Sequence, residues 1–370
     1  MRPRTPAARS AEHFRMDAPL NIVAVRSLLP PNRFSPEEVE QAFMRWLAHR
    51  PEAERIRAKR ILRNADVRTR RSCLTLEEIF DRCSLTESSH RYKRHAVDLG
   101  TRLLRSTLED ASIDPREIDV LITTSCTGFM IPSIDAHMAE ALGMRPNLLR
   151  LPVTQMGCAA GASGLMYACE MLRGRPGGTA AIVNVELPTN TMQIGEFSAD
   201  NVVASALFSD GLACTIVRSG GAPGLARIDG WGTHQVQDSL DLIGYHLTSG
   251  GFLMNLDPTL PDVISRHFDA ATAALLGAHG LSLGDIEHFA IHPGGVKIID
   301  RIEELLARSG KDARLSRETM RDCGNMSSST VIVILERLLA SDPAPGRALL
   351  MSFGPGFGAH QILLTIGKEQ

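Results

Sequence analysis

The stretch VTQMGCAAGASGLMYACEMLRG (153–174), followed by TAAIVNVE (179–186), decides the fold class. The first segment predicts a helix with small residues on several faces, starting just after Gly157 and Cys158. The second is a continuous apolar run of strand length, as expected of a strand covered on both faces. The alternation extends in both directions. Upstream lie a helix over HAVDLGTRLLRSTLEDASI (95–113), a buried strand over DVLITTSC (119–126) and a helix over AHMAEALGM (136–144). Downstream, LACTIVRS (212–219) is a further strand. After GGAPG (220–224) the pattern restarts with ARIDGWGTH (226–234) and a helix near 261–279. A strand over EHFAIHPG (287–294), a helix over VKIIDRIEELLARSG (296–310), a helix behind GNMSSST (324–330) and a strand pair over 347–367 complete it. At the front, NIVAVRSLL (21–29) predicts a strand, and one helical stretch is expected from about 36 to 65, opened by Ser35 and an acidic first turn. The class is α/β in two halves that meet at 220–224, although no clean internal repeat is visible. The division expected is a disordered tail over 1–18, a half over 19–219 containing Cys158, and a half over 220–370 containing His292 and Asn325.

Bulk properties bound the function. With 370 residues and 44% hydrophobic content the chain can bury a large core. A net charge of -2 gives no electrostatic ground for a nucleic-acid partner. The seven cysteines are odd in number and form no C-x-x-C pair, which argues against a disulfide framework and against a zinc ribbon. No metal-ligand pattern appears and no cofactor is expected. The first residues are basic but lack the apolar core of a signal peptide, and no apolar run approaches the roughly 20 residues of a membrane span. A cytoplasmic protein without a membrane span is expected. The Arg-rich start reads as a tail or as an arm packed on a partner subunit.

Three short segments carry chemistry. Cys158 follows a glycine and precedes a helix, so its sulfur is expected at a helix N-terminus, where unpaired N–H groups favour the thiolate. Gly157, Ala159, Ala160 and Gly161 keep its surroundings small enough for an acyl group to approach. The alternative is close helix packing. His292 ends a strand and is followed by Pro293-Gly294-Gly295, which lets a ligand come close to the backbone. An imidazole there is a partner for a thiolate, against the plainer reading of a structural histidine. Asn325, in CGNMSSST, is a helix cap or an amide N–H aimed at a carbonyl oxygen. Together the three suit decarboxylative Claisen condensation. A thiolate carries an acyl group, and two donors hold the enolate oxygen formed when a malonyl thioester loses CO₂.

GCAAG with Cys158, HPGG with His292, GNMSSS with Asn325 and SFGPGFG (352–358) resemble the thiolase-fold condensing enzymes. The HPGG and FGPG segments together resemble the type III polyketide synthases, the chalcone and stilbene synthase family with its bacterial members, over roughly residues 20–368. The resemblance implies a five-layer αβαβα thiolase-like fold with two pseudo-duplicated halves. It also implies a homodimer whose substrates are malonyl-CoA and an acyl-CoA. Carried over residue by residue, Phe208 is the gatekeeping phenylalanine, and Met254 stands where the family has a second one. Ile131 reaches the partner's cavity, with the Ile131–Pro132 bond a candidate for cis geometry. Cys126, Thr127, Thr191 and Ser327 line the cavity, and Gly354, Pro355 and Gly356 shape its floor. Lys59, Arg60 and Arg63 fall near the helix that binds the CoA phosphates. In the basic segment AERIRAKRILRNADVRTRR (53–71) a solvated helix face competes with that reading.

A ketoacyl-ACP synthase shares the trio but would show Gln-Ala-Asn after its histidine, where this chain has Pro293-Gly294-Gly295. A catalytically inactive thiolase-fold binding protein has no reason to keep all three residues. The resemblance to bacterial members implies a fatty acyl-CoA starter leading to an alkylpyrone or alkylresorcinol. The alternative is a malonyl-CoA-primed enzyme making a tetrahydroxynaphthalene-type product.

Overall fold

The computed structural model describes residues 18–367, so nearly all of the expected tail lies outside the described residues. Strand β1 (Leu20–Leu28) opens the chain, followed by β2 (Asn32–Phe34). Helix α1 (Pro36–Trp46) starts at Ser35, whose side chain accepts from the Glu38 amide while Glu38 accepts from the Ser35 amide. The single helix expected over 36–65 is two: α2 (Glu52–Asn64) begins anew behind Pro51. Proline has no N–H to donate and holds the preceding residue out of the helical region, so a helix cannot run through it. Then come β3 (Arg70–Ser72), α3 (Leu76–Phe80), α4 (Leu85–Asp110), β4 (Val120–Thr124), α5 (Ile134–Ala141) and β5 (Leu149–Val153). The first half closes with α6 (Ala160–Leu172), β6 (Thr179–Glu186), α7 (Ala199–Leu207) and β7 (Gly211–Ser219). The second runs β8 (Ala226–Gln235), β9 (Ile243–Thr248), β10 (Gly251–Leu256), α8 (Leu260–Ala278), β11 (His288–Ile291) and α9 (Val296–Ala307). It ends with α10 (Arg314–Cys323), α11 (Ser329–Ala340), β12 (Gly346–Gly354) and β13 (Gly358–Ile366).

Among the described residues nine strands form one hydrogen-bonded sheet in the order β11-β12-β13-β8-β1-β7-β6-β4-β5. The internal duplication that the sequence hides is explicit here. In β4-β6-β7-β1 the pairings are parallel, antiparallel, antiparallel. In β11-β12-β13-β8 they are the same. The halves join where Leu20–Ile22 of β1 pairs with Ala226–Ile228 of β8.

Helices α6 and α11 are apolar on most sides because both sheet halves close on them. Their Leu165, Leu172, Ile332 and Leu335 belong to one core with Ile182 of β6 and Leu350 of β12. A helix buried all round loses the one-sided pattern of a surface helix. On the outside, α4 and α5 cover the first half and α8 and α9 the second, which completes five layers. α6 and α11 touch near their starts. A Cβ on Gly161 would stand 2.5 Å from the carbonyl oxygen of Ser328, so only glycine fits there. This contact brings the turns that precede both helices to one point. Among the described residues no helix is long and apolar enough to cross a membrane.

Candidate active site

Four turns converge on one cavity. The turn before α6 carries Cys158, within a short 3₁₀ segment over Gly157–Ala159. Gly157 has φ +50°, and a Cβ there would stand 2.6 Å from Cδ of Pro355. Gly354 is equally constrained, since its Cβ would meet the Met156 carbonyl oxygen at 2.6 Å. The Gly354-Pro355 corner therefore packs directly on the turn that presents the thiol, and Gly356, at φ +67°, completes the bend.

Strand β11 places His292, whose amide donates to the Met351 carbonyl at 2.8 Å. Among the described residues its buried Nδ1 has no partner. The turn before α11 supplies Asn325. Its amide donates to the Leu207 carbonyl at 2.9 Å, and its own carbonyl accepts from the Ser209 amide at 2.9 Å, so its backbone brackets Phe208. In the side chain, Oδ1 accepts from the Ser327 amide at 2.8 Å and Nδ2 donates to the Gly294 carbonyl at 2.8 Å. These bonds orient the amide and leave one of its two N–H donors for the cavity. Asn325 is thus not the cap of α11, which begins behind Ser328. Ser327 holds a left-handed backbone at φ +49°. Its hydroxyl lies between two thiols, 3.6 Å from Sγ of Cys158 and 3.3 Å from Sγ of Cys126.

Cys158, His292 and Asn325 line one cavity of about 570 Å³, with Phe208, Met254 and Gly354 in its wall. A second chamber of about 310 Å³ is lined by Cys126, Thr127 and Thr191. A third, of about 60 Å³, shares Phe208 and Met254 with the first and Thr191 with the second. Phe208 and Met254 thereby stand as a partition. Exposed Arg57, Arg60 and Lys297 line the large cavity on the outer side. Of the three cations expected from sequence, only Arg60 faces it. Lys59 and Arg63 lie on another face of α2, where both pair with Glu40 at 2.6 and 3.0 Å and hold its carboxyl below the usual range. Helical spacing is the signal that was missed: 57 and 60 share one face and 59 and 63 another.

Burial acts against the thiolate that the helix N-terminus favours. Burial pushes the Cys158 thiol up to about 12, against the lowering effect of the Ser327 hydroxyl, and pulls His292 down to about 4. Burial thus acts against the field of the helix N-terminus and favours the neutral thiol and the neutral imidazole. Alkylation of Cys158 by iodoacetamide, followed by peptide mapping, should therefore rise about tenfold per pH unit between pH 7 and 9 without a plateau. A plateau already reached below pH 7 would show a resting thiolate–imidazolium pair instead.

Glu186 escaped the sequence reading because it ends the apolar run TAAIVNVE. It is fully buried and pushed up to about 7 by burial, while Ser328, Cys126 and Thr127 bond its carboxylate. A lone acid inside a strand pattern was the available signal. Ile131 is 82% exposed and Phe129 60% exposed, on the loop beside the second chamber, and the Ile131–Pro132 peptide is cis. All seven cysteines are free. Among the described residues no group of three or more His, Cys, Asp or Glu side chains is placed to hold a metal ion.

Comparison with known proteins matches this architecture along nearly the whole chain. Residues 8–221 match the family model for the N-terminal domain of chalcone and stilbene synthases, and residues 233–366 match that for the C-terminal domain. A 1,3,6,8-tetrahydroxynaphthalene synthase of Streptomyces peucetius subsp. caesius is 32% identical over 367 residues, covering 97% of this chain and 96% of the relative. A phloroglucinol synthase of Pseudomonas fluorescens is 28% identical, covering 83% of this chain and 88% of the relative. The crystal structure of 1,3,6,8-tetrahydroxynaphthalene synthase from Streptomyces coelicolor A3(2) superposes with a TM-score of 0.88 at 28% identity, over 94% of this chain and all of that one. A thiolase-like condensing fold is thus established. The chain belongs to the chalcone and stilbene synthase family and is a type III polyketide synthase, an acyltransferase that condenses malonyl-CoA.

Proposed function

We propose that Cys158 carries the acyl chain while His292 and Asn325 stabilise the malonyl-derived enolate. The observation behind this is that all three line one cavity whose outer rim is cationic. In loading, the Cys158 thiol gives its proton to His292 and attacks the starter thioester. The C–S bond to CoA breaks and the CoA sulfur takes a proton as it leaves. In extension, the carboxylate C–C bond of malonyl-CoA breaks, CO₂ departs, and the electron pair moves onto the thioester oxygen, faced by N–H donors of His292 and Asn325. The enolate carbon then attacks the Cys158-bound carbonyl and the thiolate leaves. Arg57, Arg60 and Lys297 suit the CoA phosphates, in place of Lys59 and Arg63.

For the starter, the malonyl-primed reading has the better support and the product is a tetrahydroxynaphthalene-type aromatic. The relatives named above are tetrahydroxynaphthalene and phloroglucinol synthases, and the two further chambers are smaller than the catalytic cavity, about 310 and 60 Å³. The fatty starter expected from sequence rests on the resemblance to bacterial members and on the small or flexible lining candidates Cys126, Thr191, Met254 and Ser327. Purified enzyme given labelled malonyl-CoA, alone and with a panel of acyl-CoA starters, tests the reading by product mass. Turnover that requires a long acyl-CoA would restore the fatty starter. Seven free thiols suit the reducing cytoplasm.

The enzyme is further proposed to work as a homodimer that covers Phe129 and Ile131, two large exposed apolar side chains on one loop. Ile131→Asp should shift the protein toward monomer in sedimentation velocity and lower turnover. A wild-type enzyme that is active as a monomer would refute the dimer.

A further inference from the structure

We infer that the small chamber behind Phe208 is a carboxylate-binding subsite, in which the guanidinium of Arg70 receives a free carboxylate at the far end of the acyl chain. The inference rests on the reading of Cys158 as acyl carrier. Arg70 lies on β3, is 5% exposed and lines the chamber. Among the described residues no carboxylate pairs with it. Nη2 donates to the Ala206 carbonyl in the last turn of α7, and Nε is buried with no partner. The neighbouring buried acid, Asp210, is already engaged by the Cys73 amide at 2.9 Å, the Thr189 amide at 2.9 Å and the Thr189 hydroxyl at 2.7 Å. Half-buried Arg71 lines the same chamber and adds positive charge.

A buried cation without a counter-ion is costly, and a structure that keeps one has a place for an anion. Burial pulls Arg70 down to about 10, which still leaves it charged at neutral pH. Phe34, Phe43 and Phe80 make one part of the wall apolar, beside the polar Thr189, Thr191, Asn201 and Ser205, and the apolar part strengthens an ion pair formed inside. The volume of about 60 Å³ suits a carboxylate-sized group rather than an alkyl tail, and an alkyl end would leave Nε unpaired. The chamber shares Ala204, Phe208 and Met254 with the catalytic cavity that holds Cys158, which makes it the adjoining space for the end of a chain carried there. The ligand class is an acyl-CoA with a terminal carboxylate, of which malonyl-CoA with its carboxylate retained is the smallest.

The test compares acylation of Cys158 by succinyl-CoA and by its terminal amide, an uncharged isostere, followed by intact-protein mass. Wild type should load the carboxylate at least about tenfold faster, the scale of one charge-assisted hydrogen bond. Arg70→Met should bring the ratio to about one, and Arg70→Lys should keep part of it. Equal loading of the two by wild type overturns the proposal. So does an Arg70→Met protein that slows both compounds by the same factor, since that is the signature of Arg70 merely holding the end of α7. If Arg70→Met does not fold, the wild-type and Arg70→Lys ratios decide. If wild-type Cys158 accepts neither compound, the acyl-carrier reading has failed instead. The subsite is then decided by titration calorimetry of the same two compounds into Cys158→Ala, where binding about tenfold tighter for the carboxylate supports it and equal binding refutes it.

Discussion

Cys158→Ala is expected to abolish polyketide formation, a loss of at least about 10⁴-fold, the scale seen when a residue that acts as one unit with its partners is removed. The fold should be little affected. The substitution deletes one sulfur in a turn already built from Gly157, Ala159 and Ala160, and the side-chain partner it loses is the Ser327 hydroxyl at 3.6 Å. Decarboxylation of malonyl-CoA to acetyl-CoA should persist in this variant, because His292 and Asn325 remain. Product analysis with labelled malonyl-CoA, alongside a direct assay of CO₂ release, separates the two steps. Polyketide from the alanine variant would end the assignment.

Asn325→Asp is the second large effect. Its carboxylate can still accept from the Ser327 amide, as Oδ1 does at 2.8 Å, but it offers no N–H to the enolate. Malonyl-CoA decarboxylation should fall by about 10²–10³, the usual loss for one oxyanion donor. Acylation of Cys158 should continue, as read by intact mass. Asn325→Ala should show a similar loss, together with a stability cost of about 1–3 kcal/mol from the bonds it strands at Ser327 and Gly294. An unchanged rate of CO₂ release in both variants would remove Asn325 from the chemistry.

The parts of the fold that read correctly from sequence were those set by local chemistry. The runs over 119–126, 179–186 and 212–219 are strands whose largely apolar residues are buried on both faces, and Ser35 caps α1 through its own side chain. Strand β5, LRLPV, gave no such signal. It is a sheet edge with Leu149 and Arg150 exposed, so nothing required alternation or a continuous apolar run. The trio was legible because each member sits in its own short motif. The cations were not, because their roles depend on which side of a helix or strand they occupy. The basic segment 53–71 looked like one surface. In space it divides into Arg57 and Arg60 on the cavity, Lys59 and Arg63 tied to Glu40, and Arg70 inside the protein.

The repeated strand order has a consequence for how such a site can change. β4 and β11 are twins by position, and so are the helices α6 and α11 that precede the twin strands β6 and β12. The stretches leaving β4 and β11 carry Cys126 and His292, and those entering α6 and α11 carry Cys158 and Asn325. A frame with repeated parts thus aims four loops at one spot, yet no loop bears the same functional group as its twin. Each can therefore drift toward a new substrate while its counterpart keeps the older task, which is a structural route by which one scaffold can diversify its products without rebuilding its core.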